Sequence, residues 1–110
     1  VTMFDCLHDM GDPVGAAAHV RQSLRGDGAW MIVEPFANDR LEDNLNPFGR
    51  IFYAASTFIC TPASRSQEVG RCLGAQAGEK RLRGVVSEGG FAGFRRAAET
   101  PFNLIFEATP

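Results

Sequence analysis

The sequence has few cysteines, no long apolar run and no excess of one charge. Its three cysteines, Cys6, Cys60 and Cys72, form no C-x-x-C pair, which argues against a disulfide framework and a closed zinc site. A reducing cytoplasm is therefore the expected location. No stretch reaches the roughly 18 to 20 apolar residues of a membrane span, and no leader pattern follows Val1. No membrane partner is expected.

The charges are interspersed and sum to only −2. Such a chain has no field of one sign to attract nucleic acid, so a small-molecule or protein partner is favoured. The 110 residues, 45% of them hydrophobic and 22% charged, are typical of one compact domain and too apolar for a disordered segment.

The first third of the chain predicts a strand, a helix and a second strand. The β-prone run Val1 to Leu7 is followed by Asp12-Pro13, which is a helix cap with proline at the first helical position. Gly26 to Gly28 ends that helix. The apolar run Trp30 to Val33, closed by Glu34-Pro35, indicates a strand covered on both faces. A βαβ unit of this kind has parallel strands in nearly all cases.

The middle of the chain predicts a loop and an apolar helix. Asn38 to Asn46 is polar and turn-rich, and Asn46-Pro47 repeats the cap signal. An apolar stripe with helical spacing follows, and we expect it to be buried: Phe48, Ile51, Phe52, Ala55, Phe58 and Ile59. Thr61 to Gly78 is weakly periodic and predicts a loop with a short helix.

The last third predicts a helix and a hairpin. The helix begins at Glu79 and ends at Gly89-Gly90. Phe94 to Ala98 and Phe102 to Glu107 are two strands whose link is too short for a parallel crossover. The predicted fold class is therefore α/β, with a mixed sheet of two parallel strands and a C-terminal antiparallel hairpin.

Three segments resemble class I S-adenosylmethionine-dependent methyltransferases, in particular the small-molecule O-methyltransferases. Phe4 to Pro13 resembles their strand ending in His-Asp-Trp, with Met10 in place of tryptophan. Leu24 to Pro35 resembles their "L-x-P-G-G" turn and fifth strand, with Asp27 in the turn. Gly89 to Phe94 resembles the Gly-Phe turn before their terminal hairpin. The matches occur in the family's order and cover nearly the whole chain.

The resemblance implies a Rossmann-like fold of which residues 1–110 are the C-terminal half, a single partial catalytic domain from the fourth strand onward. The family's cofactor loop, a G-x-G-x-x-G or similar spacing after the first strand, is absent. The glycines at Gly70, Gly74, Gly78 and Gly89-Gly90 fit helix ends and a flexible loop better than a cofactor loop. We expect the chain alone neither to bind S-adenosylmethionine nor to be active.

The resemblance also implies roles for individual residues. His8 matches the general base that deprotonates an acceptor hydroxyl, and imidazole suits this role because its pKa is near neutrality. Asp9 would orient the site or act only as a helix cap, and Glu34 would hold the histidine or be a solvated acid at the rim of the sheet. Cys6 and Leu7 would contact the cofactor in the whole enzyme.

Other functions have weaker support in the sequence. Cys6, His8 and Asp9 are possible metal ligands, but no clear spacing supplies a fourth, so no metal is expected. The segment from Phe48 to Phe58 would line an aromatic acceptor pocket or simply form core. A hydrolase is disfavoured because no G-x-S-x-G nucleophile elbow is present.

The alternative to an enzyme is a non-catalytic α/β module from a truncated or split gene. The sheet would then expose the edge of the strand Val1 to Leu7, where a strand of the cofactor half normally pairs, and an unpaired edge is a template for association. The expected partners are therefore a small-molecule acceptor and further copies of the chain that cover this edge.

Overall fold

The computed structural model describes residues 1–110. The strands are β1 (Thr2–Phe4), β2 (Trp30–Pro35), β3 (Gly93–Glu99) and β4 (Asn103–Thr109). The helices are α1 (Pro13–Ser23), α2 (Pro47–Ala55), α3 (Thr61–Arg65) and α4 (Gly78–Glu88), and a π-helical turn, Ser56–Cys60, joins α2 to α3. Short 3₁₀ turns occupy Leu7–Asp9 and Leu41–Asn44.

The four strands form one mixed sheet in the order β1-β2-β4-β3. β1 is parallel to β2, and β4 is antiparallel to both β2 and β3. The predicted α/β class, the parallel pair and the C-terminal hairpin are confirmed. Three of the strands thus run in one direction, and the single antiparallel strand is the last one.

The helix starts follow the predicted capping signals. Asp12 accepts a hydrogen bond from the Gly15 amide at 2.8 Å, and Asn46 accepts one from the Gly49 amide at 2.9 Å. Proline occupies the first helical position in each case, where its missing N–H costs nothing. The two cap predictions are confirmed.

One core joins the sheet to α1 and α4. Trp30, Ile32, Leu104 and Phe106 are fully buried strand residues in the same cluster as the apolar faces of these helices. The fit is tight where the end of α4 meets α1, because a Cβ on Gly89 would lie 2.4 Å from the Cβ of Ala17. Burial of these side chains provides the main stabilising contribution to the fold.

The first strand is shorter than the sequence predicts. It ends at Phe4 instead of Leu7, because Asp5 adopts a positive φ of 46° and turns the chain out of the extended conformation. Leu7–Asp9 then forms a 3₁₀ turn. His8 is therefore presented by a turn after the strand, still at the carboxyl end of β1.

The predicted burial of the aromatic stripe is wrong for most of its members. Phe48 and Ile51 are exposed on α2, and Phe58 is 81% exposed beyond it. The π-helical turn adds a residue to the helical repeat and so rotates the following side chains by about 100°. Phe58 and Ile59 consequently no longer extend the stripe of α2, and Cys60 becomes buried instead.

The segment from Thr61 to Gly78 contains a helix and an irregular stretch, as predicted. Its glycines have positive φ at Gly70, Gly74 and Gly78, and none lies between a strand and a following helix. At Gly74 an added Cβ would lie 2.3 Å from Ser56 Oγ, so close packing against the π-helical turn requires glycine there. No helix in the chain has the length and apolarity needed to cross a membrane.

Candidate active site

The carboxyl ends of β1 and β2 bring together a buried histidine and a buried glutamate. His8 Nδ1 lies 2.5 Å from Glu34 Oε2, and the two residues are 4% and 1% exposed. The other carboxylate oxygen, Oε1, accepts a hydrogen bond from the Leu7 amide at 2.9 Å. Both oxygens of Glu34 are thus used, and the glutamate fixes the histidine side chain and the turn that carries it.

This arrangement determines which nitrogen of His8 is free. An ionised carboxylate only accepts hydrogen bonds, so Nδ1 carries the proton that faces Glu34 and Nε2 is the basic nitrogen. Burial lowers the pKa of His8, but the hydrogen bond to Glu34 and the nearby carboxylates of Asp9 and Asp5 outweigh it, so the pKa is raised above its ordinary value. His8 is therefore a stronger base than an isolated imidazole.

Asp9 lies on the other side of the ring. Its Oδ1 is 3.2 Å from His8 Nε2, but the two atoms are not aligned for a hydrogen bond, and this buried oxygen has no hydrogen-bond partner. Asp9 does not cap α1, because Asp12 does. Of the two interpretations of Asp9 in the sequence, its position supports a contact with the site.

A cavity of about 410 Å³ opens beside His8. Its apolar lining is formed by Pro35, Phe52, Ala55, Ala75 and Phe102. Phe102 is held by an edge-to-face contact with Phe48, with ring centroids 5.0 Å apart. Part of the aromatic segment therefore does line a pocket, through Phe52, while most of its other rings face solvent.

The polar lining includes a pair of residues that the sequence did not indicate. Asn103, at the start of β4, donates its side-chain Nδ2 to Asp5 Oδ1 at 2.9 Å and to the Glu34 carbonyl at 3.4 Å. Asp5 is the residue with positive φ after β1. An acidic residue following a parallel strand was a usable signal for Asp5, whereas the role of Asn103 depends on where the hairpin packs.

Cys60, rather than Cys6, joins His8 and Asp9. The π-helical turn buries Cys60 at the cavity, and one potential metal-ligating atom from each of these three residues lies within 4.8 Å of the others. The trio could contact a metal ion but lacks the fourth ligand of a closed zinc site. Burial and the neighbouring Asp9 carboxylate raise the pKa of Cys60 to about 11, so its thiol is neutral near pH 7.

Neither of the two residues predicted to contact a cofactor lines the cavity. Leu7 is fully buried in the core, and its amide is bonded to Glu34. Cys6 is half-buried and does not line the cavity. Burial, followed by the charge of Glu34, raises the pKa of the Cys6 thiol, which keeps it neutral.

The turn bearing His8 is held by α3 and by the irregular segment that follows it. Ser64 Oγ donates to the Met10 carbonyl at 2.9 Å, and the Gly74 amide donates to the His8 carbonyl at 3.3 Å. Gln67 accepts from the Gly11 amide and donates to the Asp9 carbonyl. The sequence did not indicate that this loop supports the site.

No protein-family model matches the chain, and no curated protein matches it. Any function must therefore be inferred from the geometry around His8 and Glu34.

Proposed function

We propose that the chain is the acceptor-side part of an S-adenosylmethionine-dependent methyltransferase that acts on a small molecule, through a hydroxyl group, with His8 as the general base. The observation that carries the proposal is the buried contact of 2.5 Å between His8 Nδ1 and Glu34 Oε2 beside a cavity. A base oriented by a carboxylate in this way has its tautomer fixed and its free nitrogen available for a substrate proton.

The sheet supports the proposal at the level of topology. The resemblance implies a fourth, a fifth and a sixth strand in one direction and an antiparallel seventh strand, and only β4 is antiparallel here. His8 follows β1 and Glu34 lies in β2, so the pair stands at the carboxyl edge where open α/β sheets bind ligands. A fold alone does not define a function, so the His8–Glu34 pair is the stronger support.

The chemistry assigned to these residues is proton removal. An acceptor hydroxyl in the cavity would give its proton to His8 Nε2, and Glu34 would stabilise the imidazolium that forms. Asp9, whose Oδ1 is 3.2 Å from Nε2, would contact the same hydroxyl or the charged ring. The raised pKa makes His8 a stronger base and so favours proton removal. It also raises the pH above which His8 is unprotonated and able to act as the base.

The described residues do not fit S-adenosylmethionine by themselves. Two strands lead into helices, β1 into α1 and β2 into α2. The link after β1 contains a single glycine, Gly11, and the fully buried Leu7, and the link after β2 contains no glycine. A cofactor loop needs close backbone approach at several small residues. The cofactor would have to be bound by other polypeptide segments, and we expect calorimetry to detect no micromolar binding of S-adenosylmethionine to this chain.

The test of the proposal begins with the coding sequence upstream of Val1. An in-frame segment with a glycine-rich strand-turn-helix pattern supports an enzyme, and the extended polypeptide can then be assayed for methyl transfer to small phenols and alcohols. His8→Gln should lower the transfer rate by about 10² to 10⁴, the range typical of a positioned base. Unchanged rates for the variant, or micromolar binding of S-adenosylmethionine to residues 1–110, would contradict the proposal.

The second candidate is a non-catalytic α/β module that self-associates. It is favoured by the exposed edge of the sheet, where β1 has only one neighbour and Phe4 is 60% exposed. Association should be weakened by Thr2→Pro. In the parallel register with β2 the backbone groups of Val1, Met3 and Asp5 face β2, so the Thr2 N–H points to the free edge, where a second strand would use it. Light scattering distinguishes the outcomes: a monodisperse monomer of the unmodified chain counts against the module, as does a stop-free upstream reading frame with a glycine-rich loop.

A further inference from the structure

The cavity beside His8 offers many hydrogen-bond acceptors and few donors. Asp5 contributes a carboxylate, and no lysine or arginine lines the cavity. Asn103 uses its side-chain Nδ2 on Asp5 and on the Glu34 carbonyl, which leaves its Oδ1 without a hydrogen-bond partner. Pro35 has no N–H to give. Apart from His8, only the weak thiol donor of Cys60 remains.

The charges around His8 are mostly negative. The carboxylates of Glu34, Asp9 and Asp5 all raise the pKa of His8, so their fields converge on the imidazole. Three carboxylates against one imidazolium leave a net negative charge even when His8 is protonated. Glu34 is buried and Asp9 Oδ1 is shielded from water, so this charge is only partly screened.

The apolar part of the cavity is partly aromatic. Phe52 and Phe102 line it, and Phe48 fixes the orientation of Phe102. Aromatic faces attract an ammonium group by cation–π interaction and pack against an aromatic ligand. An ammonium group has three donors and no acceptor, which matches a wall rich in acceptors.

We infer that the cavity binds a ligand carrying a cationic amine on a small apolar body and rejects the corresponding carboxylate. Resting on the proposed function, this makes the methyl acceptor an amine-bearing phenol or alcohol. Asp5 and the Oδ1 of Asn103 contact the amine, and the charges of Glu34 and Asp9 add to the attraction from behind the lining. The phenylalanine rings hold the apolar body, and His8 faces the hydroxyl.

Three phenols with the same ring and a two-carbon arm provide matched probes. The arm ends in an ammonium group in tyramine, in a hydroxyl in tyrosol and in a carboxylate in 3-(4-hydroxyphenyl)propionate. Each is titrated into the 110-residue chain at neutral pH and low salt, and binding is followed by NMR shifts of the cavity residues. Tyramine should bind at least about tenfold more tightly than the carboxylate, with tyrosol between them. Added salt should reduce the ratio of the two affinities, because it screens the charges.

The role of Asp5 is tested with Asp5→Asn, which keeps the side-chain shape and is well tolerated at positive φ. Because Asp5 is exposed, the variant should reduce the preference for tyramine over the carboxylate by a modest factor of about three. Asp27→Asn is the matched control. Asp27 is an exposed acid in the turn before β2, at the opposite end of that strand from the cavity, and its replacement should leave the ratio unchanged.

Equal binding of the three probes, tighter binding of the carboxylate, or binding of none of them would overturn the inference. The titrations need neither a methyl donor nor a turnover. A preference for the amine without methyl transfer by the extended polypeptide would contradict the proposed function but not the inference. Methyl transfer without that preference would contradict the inference but not the proposed function.

Discussion

His8 and Glu34 form a buried pair in which a single carboxylate serves two donors at once. Glu34 Oε2 is 2.5 Å from His8 Nδ1, and Oε1 accepts from the Leu7 amide at 2.9 Å. The pair therefore ties the end of β2 to the turn that follows β1. Its geometry affects the stability of the fold, the protonation of His8 and the proposed catalysis.

Glu34→Gln should destabilise the chain by about 1–3 kcal/mol, although it changes only one atom of the side chain. Glutamine has one acceptor oxygen for two buried donors. Either one donor is left unpaired, or His8 moves its proton to Nε2 and accepts from the glutamine NH₂ at Nδ1, and in both cases the charge-assisted hydrogen bond is lost. Urea unfolding measures the change. Glu42→Gln is the control, because Glu42 is exposed and pairs only with exposed Arg40 at 3.4 Å. A cost as small as that of the control would mean that the buried pair is not formed.

The imidazole of His8 should titrate with its midpoint above the ordinary value of 6.5. Burial acts against the charge, but the hydrogen bond to Glu34 and the carboxylates outweigh burial. Because the folded-state pKa is raised, the resulting stability is fully present below the unfolded pKa and is lost as pH rises through the folded pKa. Nitrogen-15 NMR of the ring follows the titration and should also show the proton of the neutral form on Nδ1.

The same NMR experiment on Glu34→Gln provides the contrast. Without the glutamate charge, the midpoint of His8 should fall, because burial then dominates. A midpoint at or below 6.5 in the unmodified chain would contradict the raised pKa of His8, and a proton on Nε2 in its neutral form would contradict the assignment of Nε2 as the basic nitrogen.

Glu79 gives a pH dependence of the opposite sign. Burial raises its pKa, but hydrogen bonds and charge from Arg83 and Arg96 outweigh this and lower it. The stability that Glu79 contributes is therefore present above its unfolded pKa and is lost as pH falls through its folded pKa. The difference in unfolding free energy between the unmodified chain and Glu79→Gln should shrink as pH falls below the usual carboxyl range.

Glu68→Gln is the matched control for Glu79, because Glu68 is exposed and forms no ion pair. Its difference from the unmodified chain should stay near zero at every pH. If the difference in unfolding free energy for Glu79→Gln were also constant with pH, the ion pairs of Glu79 with Arg83 and Arg96 would not contribute to stability in solution.

Local signals in the sequence predicted most of the fold. The capping residues Asp12 and Asn46 predicted two helix starts, and the apolar run from Trp30 predicted β2. These signals could be found in the sequence because each depends only on neighbouring residues. The contact between His8 and Glu34 followed from the adjacency of two parallel strands. Cys60 and Asn103 could not be predicted in the same way.

Their positions depend on features without a local signal. Cys60 reaches Asp9 only because the π-helical turn shifts the helical repeat, and Asn103 reaches Asp5 only because the hairpin places β4 next to β2. The same π-helical turn explains why the continuous stripe predicted from Phe48 to Ile59 does not exist as one face. A hydrophobic pattern predicts which residues share one face of a regular helix. An added residue in the helical repeat moves the following residues to another face, so the prediction no longer holds for them.

The exposed part of this stripe gives the last prediction, a comparison of Ile59→Ala with Leu82→Ala. Ile59 is 64% exposed and Leu82 is 1% exposed, although both belong to apolar helical patterns in the sequence. Truncating Leu82 should cost about 2–5 kcal/mol, because it leaves a cavity in the core. Truncating Ile59 should change the free energy of unfolding by no more than about 0.5 kcal/mol, because a side chain that is already exposed loses little burial.

Both free energies are measured by urea unfolding at a concentration where light scattering gives a monomer. If Ile59→Ala nevertheless costs more than about 1 kcal/mol, the side chain is buried in solution. Repeating the unfolding at higher protein concentration then separates two causes. A midpoint that rises with concentration means that another copy covers Ile59, since association stabilises the folded state by mass action, whereas a constant midpoint means that the helical segment packs differently within the chain itself.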